Sequence, residues 1–176
     1  MKYFKTTAII FFVLIYVIII VYNISMNHFL FFIISIPVSC YIVLTTHEIA
    51  HLICFKLFGC KVSELRIGIM QFNIKAKHIS IHLHSKGIFT GYCKVTGISK
   101  IGTKKTICSL VMGGLSSLML FIGSTFIIIS SDTIQQTEVF FIALSIVSLI
   151  SLWTTLINPR SADNKAIKKL CGGNIE

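Results

Sequence analysis

Polar residues are so sparse along this chain that the apolar runs between them outline its architecture. Four stretches, Ala8–Tyr22, Phe29–Phe58, Ile107–Ser130 and Val139–Ile157, are each long enough, or nearly so, to cross about 30 Å of hydrocarbon as a helix. The second contains Pro37, whose missing N–H predicts a kink or interruption near the outer third of that helix. It ends at Gly59, with Lys56 in the last turn where a cation suits the helix dipole. Past Gly59 the helical period gives way to alternation. From His78 to His84 apolar residues occupy the odd positions from Ile79 to Leu83 and polar residues the even ones, the pattern of a half-buried strand. Three or four short strands are expected over 61–95, with Gly68, Gly87, Gly91 and Gly97 as turns or bulges. The third helix carries Gly113-Gly114-Leu115-Ser116-Ser117, small residues that permit close helix approach. The fourth stops at Asn158-Pro159, and RSADNKAIKKL then forms a polar turn leading into a basic amphipathic segment at the membrane surface.

Composition agrees with this outline: 55% of the 176 residues are hydrophobic, 12% are charged and the mean hydropathy is +0.87, which excludes a soluble domain. The expected fold class is a multi-span α-helical membrane protein, with about four transmembrane helices and a small β-sheet inserted between the second and third. Residues 1–176 then form one membrane-embedded domain. It divides into an extra helix and loop (1–28), the second helix (29–58), a strand-rich insert (59–106), and the last two helices with the segment after them (107–171). A net charge of +10 raises the question of nucleic acid, and the placement of the sixteen Lys and Arg answers it. Lys2 and Lys5 precede the first stretch, ten lie from Lys56 to Lys105, and Arg160, Lys165, Lys168 and Lys169 follow the fourth. None falls in 23–28 or 131–138, so the charge is a topology signal that puts both termini and the insert in the cytoplasm. No nucleic-acid partner is expected. The first stretch also has the look of a signal peptide, but no small-x-small site follows it, and a retained helix is favoured. The six cysteines show no CxxC spacing and are expected as free thiols.

One polar cluster interrupts the second stretch: His47-Glu48-Ile49-Ala50-His51. In this HExxH pattern the histidines, four residues apart, share one helix face and can present nitrogens to a single ion, while Glu48 stands beside them to take a proton from water. In a soluble helix the same five residues are often a solvated face. Here each ionisable group costs roughly 2.5–3.5 kcal/mol to insert into hydrocarbon, so three together demand a compensating role, and one catalytic zinc per chain supplies it. A third ligand is needed, and the other carboxylates are few: Glu64, Asp132, Glu138, Asp163 and Glu176. Asp132 and Glu138 fall in the loop across the membrane. Asp163, just past the fourth helix, is the best candidate, and Glu64 the fallback, although a bare helix N-cap at Asp163 is an equally ordinary reading. His78, His82 and His84 read as a polar strand face before they read as a metal site, and Cys54 as a packing residue.

HEIAHLICFKLFGCKVSELRIG resembles the active-site helix and first membrane-associated strand of the site-2 intramembrane metalloproteases. GGLSSL resembles that family's Gly-Pro-x-x-Asn element, and INPRSADN its Asn-Pro…Asp-Gly element, which supplies the third zinc ligand; the similarity spans about residues 40–171. Gly114 stands in place of Pro, Ser117 in place of Asn and Asn164 in place of Gly, with a compressed Asn-Pro to Asp interval. The resemblance implies catalysis by Glu48, zinc held by His47, His51 and Asp163, and substrate positioning by Gly113, Gly114, Ser117 and Asn158. It implies a short member without a PDZ domain, in a bacterial cell membrane, acting on a membrane-spanning or membrane-associated peptide. Two rival classes remain at this level: a catalytically inactive zinc-binding scaffold and a small membrane metal-binding protein.

Overall fold

The computed structural model describes residues 26–75, 78–84, 87, 89–131, 136–157 and 161–170. The first apolar stretch, Asn158 and Cys171 lie outside these. Three helices among the described residues are long and apolar enough to cross a membrane: α1 (Met26–Leu57), α3 (Thr103–Ile129) and α4 (Gln136–Leu152, continued by a π-helical turn Trp153–Ile157). A four-residue helix α2 (Ile98–Ile101) precedes α3, and α5 (Ala162–Leu170) ends the described chain. Of the expected kink or interruption at Pro37 the interruption is absent: α1 runs unbroken through Pro37 as a 32-residue helix. Proline costs one backbone bond, and the remaining ladder, together with packing against α3 and α4, carries the helix past it.

The three long helices pack on one another. At one end, near the start of α1, Phe32 joins Val139, Ile142 and Ala143 of α4 in an apolar cluster, with Ile128 of α3 against it. Beyond that cluster many of the buried residues are small: Ser109, Gly113, Gly114 and Ser117 of α3 and Ser145 and Ser148 of α4. Small side chains bring the backbones close, the packing mode that works where no hydrophobic driving force separates protein from solvent. Leu30, Ile34, Met119 and Phe126 point outward and are exposed, as lipid-facing residues must be.

Between α1 and α2 four antiparallel strands, β1 (Lys61–Ile67), β2 (Met70–Lys75), β3 (His78–Leu83) and β4 (Gly91–Thr96), form one sheet in the order β3-β2-β1-β4. β1 is central and buries Val62, Leu65 and Ile67; it packs on α1, as does β4. β3 is a strand as its alternation requires, pairing Ile81 with Phe72 and His82 with Gln71. It is not half-buried. Ile79, Ile81 and Leu83 are 67, 61 and 75% exposed, because β3 is the outer edge of the sheet and no helix among the described residues packs on it. Gly91 is also not a turn: it opens β4, paired with Ile67.

Candidate metal centre

One helical turn separates His47 from His51 on α1, and their rings meet edge to face with centroids 4.7 Å apart. Their Nε2 atoms approach to 3.1 Å, and Asp163 Oδ2 lies 3.3 Å from the first and 3.5 Å from the second. Ligand atoms about 2.0–2.1 Å from a tetrahedral ion stand about 3.3–3.4 Å apart, so this triangle fits three corners of such a site. Hydrogen bonding fixes the nitrogen that faces inward. His51 Nδ1 is 2.7 Å from the Ser109 carbonyl, which can only accept, so Nδ1 carries the hydrogen and a neutral ring presents its Nε2 lone pair to the cluster. Two buried imidazole nitrogens and a carboxylate converging on one point require a positive charge among them, a cation or protons. Among the described residues no other group of three or more His, Cys, Asp or Glu side chains gathers closely enough to hold an ion.

Asp163 reaches the histidines because of how α5 is written. Asp163, Ala166, Ile167 and Leu170 recur at i, i+3, i+4 and i+7 and form the partly buried side of that helix. α5 packs on α3 and on the π-helical turn, which turns this stripe, and with it the carboxylate, toward α1. The helix begins at Ala162, so Asp163 sits in its first turn and is not its N-cap. Burial would raise the Asp163 carboxyl, but with the inward nitrogens of His47 and His51 protonated, their hydrogen bonds and positive charge outweigh it and hold the group below the usual carboxylate range. Glu64 serves elsewhere, on the sheet, accepting a hydrogen bond from Tyr92 and pairing with Lys94 at 3.9 Å.

Two glycines make room for the cluster. A Cβ at Gly113 would fall 2.5 Å from His51 Nε2 and from His47 Cε1, so only a bare backbone lets α3 close over the imidazoles. At Gly91 a Cβ would meet Glu48 Oε1 at 2.5 Å and its Cγ at 2.6 Å. β4 therefore lies directly against Glu48, which is buried with the two histidines. A cleft of about 480 Å³ opens here, bounded by His47, Glu48, His51 and Asp163, by Phe89, Gly91 and Cys93 of the sheet side, and by Ser151 of α4. Cys93 does not offer a thiolate: burial, with Glu48 nearby, pushes its thiol up to about 11.

The other sequence-derived positions divide. Gly113 and Gly114 are buried at the centre, as is Ser117, whose hydroxyl lies 3.0 Å from that of Ser151. Asn158 lies outside the described residues. His82 and His84 are exposed on β3 and just after it, and Cys54 is buried as a free thiol. Cys40, Cys60, Cys93 and Cys108 are likewise free. Ser109, Gly91 and Ser151 carry no motif and were not legible. Gly91 in particular has a local pattern indistinguishable from a turn glycine.

No protein-family model matches the chain, and comparison with curated proteins and with solved structures returns no significant match. The functional reading consequently rests on the site itself.

Proposed function

We propose that this chain is an intramembrane zinc metalloendopeptidase that hydrolyses a peptide bond in a membrane-spanning or membrane-associated peptide. One observation carries the reading: Asp163, 116 residues away in sequence, converges on the two histidines of HEIAH at tetrahedral ligand spacing, with Glu48 buried beside them. A structural zinc site closes with four protein ligands, whereas three leave a corner open for a reactant. Bound there by His47, His51 and Asp163, zinc would bring the pKa of water to about 7 and polarise the scissile carbonyl. Glu48 takes a proton from the attacking water as its oxygen bonds to the carbonyl carbon, then returns it to the amide nitrogen as the C–N bond breaks. Ser109 holds the His51 ring throughout. The substrate is extended where it is cut, because a helical amide is shielded by its own turn. β4 is paired to β1 on one side only, and its remaining edge offers main-chain groups to an extended segment beside Glu48. The uncovered row Ile79, Ile81 and Leu83 is suited to contact with the bilayer.

The metal arm of the proposal is tested by elemental analysis of the purified protein. Wild type carries one equivalent of zinc, and His47→Ala and Asp163→Ala each lose most of it under dialysis against a weak chelator. Full retention by Asp163→Ala would move the third ligand elsewhere.

Orientation follows from the Lys and Arg placement, with the sheet and α5 cytoplasmic. In a background whose native cysteines are replaced, Ser130→Cys, at the end of α3, reacts with an impermeant thiol reagent from outside intact cells, and Thr96→Cys reacts only after lysis. The reverse pattern would invert the topology.

A further inference from the structure

Around the site end of the bundle the positive charge is one-sided. Residues 98–131 contain Lys100, Lys104 and Lys105 and no Asp or Glu, and Lys100, Lys104 and Lys105 are all exposed. Residues 161–170 contain three lysines and one acid, Asp163, which is turned inward to the histidines. Lys165, Lys168 and Lys169 recur at i, i+3 and i+4, off the Asp163-Ala166-Ile167-Leu170 stripe. Lys165 is exposed. α5 is thus a short helix with the Asp163 carboxylate on its inner side and three lysines at sequence positions outside that stripe, of which Lys165 is exposed. Nine residues are too few to hold a helix in water unaided, so its order depends on what each side docks against. The inner side packs on α3 and the π-helical turn, and the helix's own segment, 161–170, holds no acidic residue besides Asp163.

We propose that the lysine side of α5, together with Lys100, Lys104 and Lys105, binds the anionic headgroups of the adjoining leaflet, and that this binding seats Asp163 in the metal centre. The occupant is an anionic phospholipid surface because the lysines belong to segments at the end of membrane-spanning helices whose one acidic residue is Asp163, where headgroup phosphates are the abundant complementary charge. Docking the outer side orders the helix, and the same helix aims the carboxylate. Lipid charge and metal retention are therefore linked through α5. This rests on the metal-centre reading, but not on hydrolysis.

The test uses the full chain in vesicles of phosphatidylcholine alone or of equal parts phosphatidylcholine and phosphatidylglycerol. Each lysine that reaches an anionic surface contributes roughly fivefold, and salt screens the effect. Amide exchange over 162–170, measured on zinc-free protein, slows by on the order of tenfold in the anionic vesicles at low salt, and the difference shrinks at high salt. The triple variant Lys165→Gln, Lys168→Gln, Lys169→Gln keeps the phosphatidylcholine rate and loses the slowing. On zinc-loaded protein, loss of metal to excess chelator is slowed by anionic lipid in wild type and not in the variant. Equal exchange in the two vesicles, or full slowing retained by the variant, overturns the proposal. Inorganic phosphate added to phosphatidylcholine vesicles leaves exchange unchanged; if it protects as well as the lipid does, a soluble anion is the occupant and the lipid surface is not. Because exchange is read without zinc, a chain that binds no metal fails the proposed function while the lipid arm still gives its answer.

Discussion

On the proposed hydrolysis, Glu48→Gln is expected to abolish cleavage while leaving fold and zinc in place. Gln keeps the length and hydrogen-bonding reach of Glu, so the contact with β4 at Gly91 survives, but an amide cannot accept the proton of the attacking water. Positioned acid–base groups contribute roughly 10²–10⁴-fold in rate, and turnover falls by at least that order. Metal stays because Glu48 is not one of the three converging donors. Removing an ionisable group from the apolar helix relieves desolvation, so lost expression does not account for lost activity. The measurement is co-expression with single-span or short hydrophobic peptides encoded beside this chain, read as a shortened product. Equal product from wild type and Glu48→Gln would leave a scaffold, not a protease.

The second large effect is expected from a methyl group. Gly113→Ala places a Cβ 2.5 Å from His51 Nε2 and 2.6 Å from His47 Nε2, and these are the atoms that face Asp163. Either the rings rotate away or α3 withdraws, and both dissolve a triangle whose sides are 3.1, 3.3 and 3.5 Å. Disturbing the groups that orient metal ligands typically weakens binding about 10–100-fold, and direct displacement of two ligands does at least that. Gly123→Ala in the same helix is the control, since nothing lies within 4 Å of its Cβ position. Alanine there favours the helix by about 0.5–1 kcal/mol and leaves zinc binding unchanged. Metal titration of the two variants separates a steric requirement at the site from a general intolerance of α3. Wild-type affinity in Gly113→Ala would mean that the helices do not approach as closely as this packing requires.

Much of this was written into local pattern. HEIAH is legible because helix geometry converts a spacing of four into one face, and the surrounding hydrocarbon makes three ionisable groups costly. Asp163 is legible because acidic residues are scarce enough to search by elimination. The alternation of 78–84 gave β3 as a strand, but burial is a property of neighbours, and sequence could not reveal that β3 would be the uncovered edge. The order β3-β2-β1-β4, which brings β4 next to β1 and against Glu48, depends on long-range pairing with no local signature. Gly91 reads locally as a turn or bulge for the same reason: the close approach that demands glycine is to a side chain 43 residues away in sequence, since it is Glu48 that a Cβ there would strike. Of the kink or interruption that Pro37 predicts, the interruption does not occur, because the remaining ladder and the surrounding helices supply the missing order.

The account stands or falls on whether this centre hydrolyses a peptide bond with the help of its metal. Purified wild-type protein, reconstituted in vesicles with a cleavable hydrophobic peptide, is incubated in heavy-oxygen water, and the new carboxyl terminus is read by mass spectrometry. The account predicts one heavy oxygen atom in that carboxylate, no product after a chelator strips the metal, and recovery when zinc is restored. Product that forms equally in stripped protein, or a zinc-loaded chain that leaves every such peptide intact, would contradict it.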